Sequence, residues 1–545
     1  MKEKLFKTAV VYQIYPRSFK DSNGDGIGDI PGIISKLDYL KDLGVEIIWL
    51  SPIYKTSNKD YGYDISDYYS INPEYGTMED FDRLLKEAKK RGLRIVMDLV
   101  VNHTSSDHPW FKASIDRNSK YHDYYIWQDG KDNNQNPPNN WTSNFTGSAW
   151  KFCPENNQWY LHLFHEDQPD LNWHNPLVLE EVKKILKFYL DKGVYGFRCD
   201  VINEIYKETY KDGKKGLLVV GAEHYLNSEG CHKILKELYN DVFSKYDSVV
   251  IGETYNIDYR NARRFLNGEM DLLFQFDTMN CDVIKVPILR TKKWRKKFKE
   301  SLFAWQKEVD WNAIYLENHD QRRSVSRFGD VKNYHKQSAK MLATILLTLK
   351  GTPFIYQGEE IGVTDYPMFT PSQYKDPVNH FLFKMMKKYR VTDKLTLKLI
   401  QNNNRDNARL PFQWDNSLAG GFSSNIGTWL PVNPNYSEIN ALDEEEDPNS
   451  ILNYYKKLIA LRRADPVLLK GTLEKCRTSN KIMCYYRIIE KDVRFILVNL
   501  TNKRITLPRW IRKIRGQVIV SNYEGAGLTF KKFLRPYESL VAKIS

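Results

Sequence analysis

The chain predicts an α/β fold: a (β/α)8 barrel, the TIM barrel, with an inserted subdomain after its third strand and a C-terminal antiparallel β-sandwich. Three observations predict it. Short, apolar, β-prone runs alternate with helix-period segments, the pattern of parallel β/α units. The runs number eight, the count that closes a barrel. Carboxylates and histidines stand just after several of the runs, where the strands of a barrel converge on one mouth.

The strand-like runs lie at residues 9–15, 45–50, 93–101, 194–199, 248–252, 272–276, 313–316 and 352–356. Helix-like segments at 32–43, 78–91, 178–192, 232–246, 298–309 and 336–349 separate most of them, and one at 451–463 closes the ring. A doubly wound open sheet is the alternative, but no glycine-rich phosphate loop follows the first run. The alternation breaks twice. Residues 104–174, rich in Trp, Tyr, Asn, Asp and Pro, read as a subdomain inserted over the mouth, and 359–449 as long loops on the same face. After Asp465-Pro466 short β runs follow one another. The division expected is therefore a barrel of residues 1–103 and 175–465, an insert of 104–174 and a sandwich of 466–545.

The formal charge of +13 raises the question of a nucleic-acid partner. The densest basic run, residues 292–299, precedes an amphipathic stretch and reads as the solvated start of a helix; the other cations are scattered. No nucleic-acid partner is expected. Cys153, Cys199, Cys231, Cys281, Cys476 and Cys484 contain no CxxC pair, which argues against zinc and for free thiols in a reducing compartment. The N-terminal residues show no secretory apolar core, and no run approaches the ~20 apolar residues of a membrane span. A cytoplasmic monomer or weak oligomer without a membrane partner is expected.

After the first strand, Asp21, Asn23, Asp25, Ile27 and Asp29 alternate with small residues. Oxygen groups at every second position, with Gly26 at the sixth, resemble the opening of an EF-hand loop, although Gly32 stands where its Glu would be. The loop is expected to wrap a hard cation, Ca²⁺ before Mg²⁺; no organic cofactor is expected.

Four strand ends carry the chemistry: Asp98-Leu-Val-Val-Asn102-His103, Arg198-Cys-Asp200-Val201, Gly252-Glu253-Thr254 and Glu317-Asn-His319-Asp320. Arg198 and Asp200 are two apart on a strand and face the same side. A fixed cation there holds a carboxylate ionised, while burial and like charge push another up. One acid and one carboxylate facing an anomeric carbon are what glycoside hydrolysis needs.

Those motifs, with 9-AVVYQIYP-16, 168-QPDLN-172 and 405-RDNAR-409, resemble the α-amylase superfamily, glycoside hydrolase family 13, and within it the oligo-1,6-glucosidase and α-glucosidase group. The resemblance covers residues 5 to about 465. It implies that Asp200 is the nucleophile, Glu253 the acid/base and Asp320 the third carboxylate. It implies that His103, Arg198 and His319 bind sugar, that Tyr63 stacks on it, and that Asp60 and Arg405 close the pocket, with Phe164 and Gln168 lining it. Family members with the same loop hold Ca²⁺ through Asp21, Asn23, Asp25, the Ile27 carbonyl and Asp29. The implied mechanism is retaining, with the carboxyls of Asp200 and Glu253 about 5–5.5 Å apart. Val201 after the nucleophile goes with α-1,6 linkages in this group, so isomaltose, panose and isomalto-oligosaccharides are the expected substrates. His174, Arg322, Leu410 and Phe412 depart from the usual residues, and are expected near the leaving-group side. The extra cation at Arg322 keeps trehalose-6-phosphate hydrolysis open, beside sucrose isomerisation and α-1,4 activity.

Overall fold

In the computed structural model, which describes residues 4–145, 147–214, 216, 219–284, 286–367, 369–529 and 531–544, eight strands form one parallel sheet wrapped into a barrel. They are β1 Val11–Ile14, β2 Ile47–Leu50, β3 Arg94–Leu99, β4 Gly196–Cys199, β5 Val249–Thr254, β6 Leu272–Gln275, β7 Ala313–Ile314 and β8 Thr352–Tyr356. Their hydrogen-bonded order is 6-5-4-3-2-1-8-7. The seam between β6 and β7 is closed by side chains: Leu273 N donates to Asn312 Oδ1 at 2.9 Å, and Tyr315 Oη donates to the Gln275 carbonyl at 2.7 Å. β7 is two residues long, shorter than the expected 313–316, because Tyr315 and Leu316 already belong to the turn toward the mouth.

Side chains alternate across each strand. Trp49, Val96, Ile251, Phe274 and Phe354 fill the barrel interior. Ile48, Met97, Phe197, Val250 and Leu273 point outward into the layer shared with the helices. Gly196 faces inward where a Cβ would lie 2.0 Å from the Val249 carbonyl oxygen, so β4 and β5 can approach closely only because the residue is glycine.

The longer helices are α1 Met78–Lys90, α2 Pro176–Lys192, α3 Glu229–Asp241, α4 Arg295–Glu308, α5 His335–Thr348, α6 Pro377–Lys388, α7 Asp393–Gln401 and α8 Ile451–Ala464. α1 starts with a reciprocal Thr77–Asp80 capping box. α2 starts with an Asn175 cap and Pro176 and ends at Gly193, whose φ of 103° a side chain would resist. α6 and α7 correct the expectation of loops over 359–449. They bury few residues and pack into a small cluster of their own around Phe369, Tyr374, Ile400 and Leu410, so they carry no long core-facing stripe. The basic run is corrected too. Lys299, on α4, is 8% exposed and its ammonium is bound by neutral oxygens of the C-terminal region.

Between β3 and α2 the chain forms a three-stranded antiparallel sheet, Trp127–Gln128, Gln158–Leu161 and Trp150–Cys153, over the mouth. At the C-terminus, β9 Thr472–Lys475, β10 Ile482–Ile489, β11 Asp492–Asn499, β12 Gly516–Ser521 and β13 Ser539–Ile544 make an antiparallel sheet in the order 9-10-11-13-12. The facing layer is a two-stranded ribbon, Ile505–Thr506 with Phe533–Leu534. Two buried arginines meet at the end of α5, Arg462 from α8 and Arg487 from β10, and the second fastens this sheet to the barrel. Arg462 donates to the Leu347 and Leu349 carbonyls at 3.0 and 2.9 Å, and Arg487 to the Thr348 carbonyl at 2.6 Å.

Candidate active site

β3 and β4 pair in register with Asp98 opposite Arg198, both turned into the barrel. Arg198 is 1% exposed and shared by three carboxyls. Its Nη1 donates to Asp98 Oδ1 at 2.7 Å and to Asp200 Oδ1 at 2.6 Å, and its Nη2 lies 2.6 Å from Glu253 Oε2. Asp200 and Glu253, from β4 and β5, are thus held across the width of one guanidinium. The guanidinium sits 5.3 Å from the Trp49 ring and 5.9 Å from the Tyr63 ring.

A chain of hydrogen bonds fixes this cluster from β1 and the loop after β7. Gln13 Nε2 lies 2.8 Å from His319 Nδ1, His319 Nε2 lies 2.6 Å from Tyr63 Oη, and Tyr63 Oη donates to Asp98 Oδ2 at 3.3 Å. An amide donor at Nδ1 assigns the His319 proton to Nε2. Burial pushes His319 down to about 3, so the ring is neutral across the working range. Tyr63 stacks on it with ring centroids 5.3 Å apart.

Asp320 stands on the other side. Arg405 Nη1 and Arg409 Nη2 donate to its Oδ1 at 3.1 and 2.8 Å, and Arg409 Nε donates to the His319 carbonyl at 3.1 Å. Asp376, from the segment before α6, holds Arg405 through two bonds of 2.8 Å. Asp60 Oδ2 accepts from Gln168 Nε2 at 3.1 Å, while its buried Oδ1 has no partner among the described residues. A buried acceptor left open in a carboxylate-lined mouth is what a ligand hydroxyl would satisfy. Gln168 Nε2 also reaches His103 Nε2 at 3.2 Å, and Phe164 lies 5.3 Å from the His103 ring.

Charge counting sets the protonation. Arg198, Arg405 and Arg409 face Asp98, Asp200, Glu253, Asp320 and Asp376. Five carboxyls cannot all ionise against three guanidiniums in a buried site. Burial, opposed by Arg198, pushes Asp200 up to about 7, and Glu253 likewise to about 7. Asp320 moves the other way: despite burial, His319, Arg405 and Arg409 hold it well below the usual carboxylate range. Asp376 is held down by Arg405 as well, so two carboxyls stay anionic while Asp200 and Glu253 titrate near neutrality.

Val201, directly after Asp200, sits in the left-handed region with φ 37°, a strained state for a β-branched residue. The strain turns its N–H toward Glu253 Oε2, at 3.2 Å. Two residues on, Asn203 clamps the loop after β5 by accepting from Tyr255 N at 3.0 Å and donating to the Tyr255 carbonyl at 2.8 Å.

Of the departures from the family pattern, two are buried in the core where positions at the mouth were expected. Leu410 and Phe412 are buried core residues. His174 ties down the loop after β4, its ring nitrogens 2.8 Å from the Lys207 carbonyl and 2.9 Å from Tyr206 Oη. Arg322 is ion-paired to Asp365 and reaches Asn402 Oδ1 at 3.4 Å, so its charge is already matched. Asp98, Gln13 and Arg409, which sequence reasoning quoted in motifs without giving them a role, and Asp376, which it missed, all shape the site. For Asp376 a signal existed, because Asp-Pro opening a helix is a capping pattern.

In the loop after β1, Asp21 accepts backbone bonds from Asn23, Gly24 and Gly26 at 3.0, 2.7 and 2.8 Å. Asp29 is committed to Ser22 and to the cap bond from Gly32 N at 2.6 Å. Asn23, Asp25 and the Ile27 carbonyl are oxygen donors of the hard type a calcium ion takes. Among the described residues no three His, Cys, Asp or Glu side chains gather as a metal cluster, and Asp29 braces the loop through those bonds. No helix among the described residues is long and apolar enough to cross a membrane.

The family model for the α-amylase catalytic domain matches residues 13–471. An oligo-1,6-glucosidase of Parageobacillus thermoglucosidasius is 45% identical over 565 aligned positions, covering 100% of both chains. A trehalose-6-phosphate hydrolase of Bacillus subtilis (strain 168) is 42% identical, covering 99% of this chain and 98% of its own. Among solved structures, the isomaltulose synthase from Klebsiella sp. LX3 superposes with a TM-score of 0.95 at 40% identity, covering 100% of both chains. With nearly the whole barrel and every carboxyl of the site inside the family match, the chain is a glycoside hydrolase of the α-amylase family.

Proposed function

We propose that the enzyme releases glucose from the non-reducing end of short α-1,6-linked oligosaccharides (isomaltose, panose and isomalto-oligosaccharides) by a retaining, double-displacement mechanism. The observation that carries it is the single Arg198 guanidinium bonded to both Asp200 and Glu253, with Asp320 clamped separately. Groups that share one guanidinium stand close enough for one to attack and the other to protonate, as the retaining geometry requires. Asp200 attacks the anomeric carbon while Glu253 protonates the leaving oxygen. The resulting β-glucosyl ester is hydrolysed by a water that Glu253, now the base, deprotonates. Asp320, anionic throughout, accepts bonds from the sugar hydroxyls at positions 2 and 3 and opposes the positive charge of the oxocarbenium-like state. Asp60 and Arg405 close on the terminal glucose. His103, His319, Tyr63, Phe164 and Gln168 complete that pocket.

Val201 supports the α-1,6 preference, since its position is the one that goes with that linkage in the group. Arg322 bears on the anionic alternative. Bound to Asp365, it offers no free cation to a phosphate, which supports a neutral substrate over trehalose-6-phosphate. A product screen on isomaltose, panose, sucrose, maltose, trehalose and trehalose-6-phosphate tests the reading. Isomaltose and panose are expected to give the highest kcat/KM and release glucose. A clear preference for maltose or trehalose-6-phosphate, or isomerised sucrose as main product, would overturn it.

We also propose that the loop after β1 holds a structural Ca²⁺ through Asp21, Asn23, Asp25 and the Ile27 carbonyl, with Asp29 completing or bracing the set. Its alternating oxygens and its resemblance to the family's loop support this. When bound, the ion would tie the loop to the start of the barrel; no catalytic step runs through it.

A further inference from the structure

Outside the active site, the C-terminal sheet places two thiols side by side. β9 and β10 pair with Lys475 opposite Tyr485, and the next pair in that register is Cys476 with Cys484. Cys476 N donates to the Cys484 carbonyl at 3.0 Å, so the two are a hydrogen-bonded antiparallel pair. Such pairs hold their Cα atoms about 5.5 Å apart, inside the range a disulfide spans. Both side chains lie on the same face, because both pack in the cluster formed by Ile482, Phe495 and Leu497. Cys484 is buried and Cys476 partly exposed, so a reagent from solvent meets Cys476 first.

A cation stands behind the pair. Lys299 Nζ donates to Thr478 Oγ1, the Ser479 carbonyl and the Ile482 carbonyl at 3.1, 2.8 and 2.5 Å, all neutral oxygens. Burial lowers this lysine to about 8, and the electrostatic pull of Cys484 and Cys476 opposes that shift. Burial and the neighbouring Cys476 push the Cys484 thiol well above the ordinary range, against the weaker pull of Lys299, so Cys484 keeps its proton. Cys199, Cys231 and Cys281, by contrast, are at most 2% exposed and lie on separate elements.

We propose that Cys476 and Cys484 are a redox-modification site at which a hydroperoxide converts the two thiols to a cross-strand disulfide. The Cys476 thiolate attacks the peroxide; the O–O bond breaks, a sulfenic acid forms and, with a proton from solvent, an alcohol or water leaves. The Cys484 sulfur then attacks the Cys476 sulfur, the S–O bond breaks, and the hydroxyl departs as water with the Cys484 proton. The two sulfurs give up two electrons in all and the peroxide takes them. The product staples the edge strand β9 to β10 beside the barrel helix α4. The proposal does not depend on the substrate of the active site.

Hydrogen peroxide treatment of the full chain, followed by thiol counting after denaturation and peptide mass mapping, tests it. Of six thiols, four are expected to remain, with a mass loss of two hydrogens, a 476–484 cross-linked peptide and recovery of six on reduction. Cys476→Ser is expected to keep its remaining five thiols under the same exposure. Cys484→Ser is expected to stop at a Cys476 sulfenic acid that dimedone captures. Six thiols after treatment, losses mapping to other cysteines, or equal loss in Cys476→Ser would overturn it.

Discussion

Arg198 bears the electrostatic load of the site. One guanidinium neutralises part of three carboxyls, and burial pushes Asp200 and Glu253 up to about 7. Asp320 is set apart from that pair by its own two arginines. Asp320→Asn keeps the size of the side chain and removes its charge, so kcat is expected to fall by about 10²–10³, the cost of one preorganised transition-state contact. Steady-state kinetics on isomaltose checks this, and near-normal turnover would contradict the role. Glu204, next to the catalytic loop, is a second informative carboxyl. It is buried, accepts from Asn144 Nδ2 at 3.3 Å and forms no ion pair among the described residues. Burial pushes it up to about 8, from an ordinary 4.5. The folded state thus keeps a proton that the unfolded chain releases, and stability falls as pH rises from 4.5 through 8. Glu204→Gln is expected to remove that slope, gaining on the wild type by up to about 1.4 kcal/mol per pH unit across the window. Denaturant melts at acid and alkaline pH measure it, and parallel curves would refute it. At this scale the sequence was legible where spacing is local. Arg198 and Asp200, two apart on a strand, had to face the same way. Asp98 opposite Arg198 depends on inter-strand register, which no local pattern states.

Two elements decide how the mouth is built. α6 begins on Asp376, whose carboxylate caps the helix by accepting from Val378 N at 3.0 Å while it grips Arg405. Helix start and substrate-facing cation share one side chain. Asp376→Ala is expected to cost about 1 kcal/mol of stability as a lost cap and to raise KM for isomaltose about tenfold, equivalent to ~1.4 kcal/mol. Asp376→Asn should keep the cap and still raise KM; a variant with unchanged KM would separate Arg405 from substrate binding. The loop after β1 is the other element. Saturating Ca²⁺ against a chelator is expected to shift Tm by about 2–5 °C, the scale of a ligand that binds only the folded state. Identical melts, or a shift retained in Asp21→Asn with Asp25→Asn, would count against the ion site. α6 and α7 escaped the sequence because their apolar residues face each other and a small satellite cluster. Periodicity reports a helix best when one broad stripe meets a large core.

For the whole molecule, closure is what gathers the site. β4 and β5 approach each other through Gly196, and β6 meets β7 through Asn312 and Tyr315, where ladder bonds would be expected. The C-terminal sheet adds rigidity from outside. Arg462 and Arg487 spend their guanidinium bonds on barrel and linker carbonyls with no carboxylate partner among the described residues, and burial lowers them to about 9 and about 10. Arg487 joins β10 to the end of α5 and fixes the sheet on the barrel's flank, while Arg462 ties α8 to the same turn. The substrate screen belongs to this scale too, because linkage preference depends on the wall that barrel, insert and the segment around α6 make together.

The sequence by itself determined the eight-fold alternation, the strand ends at which Asp200, Glu253 and Asp320 stand, and the family to which those motifs belong. Each of these is written in short-range order: a period of two or 3.6, or a motif of a few residues. Only the tertiary structure decided that one guanidinium serves three carboxyls, that Arg322 is neutralised, that Leu410 and Phe412 are core, and that Cys476 lies beside Cys484. Those facts depend on register and packing between distant segments, which are fixed when buried surface and hydrogen bonds are satisfied across the whole chain at once.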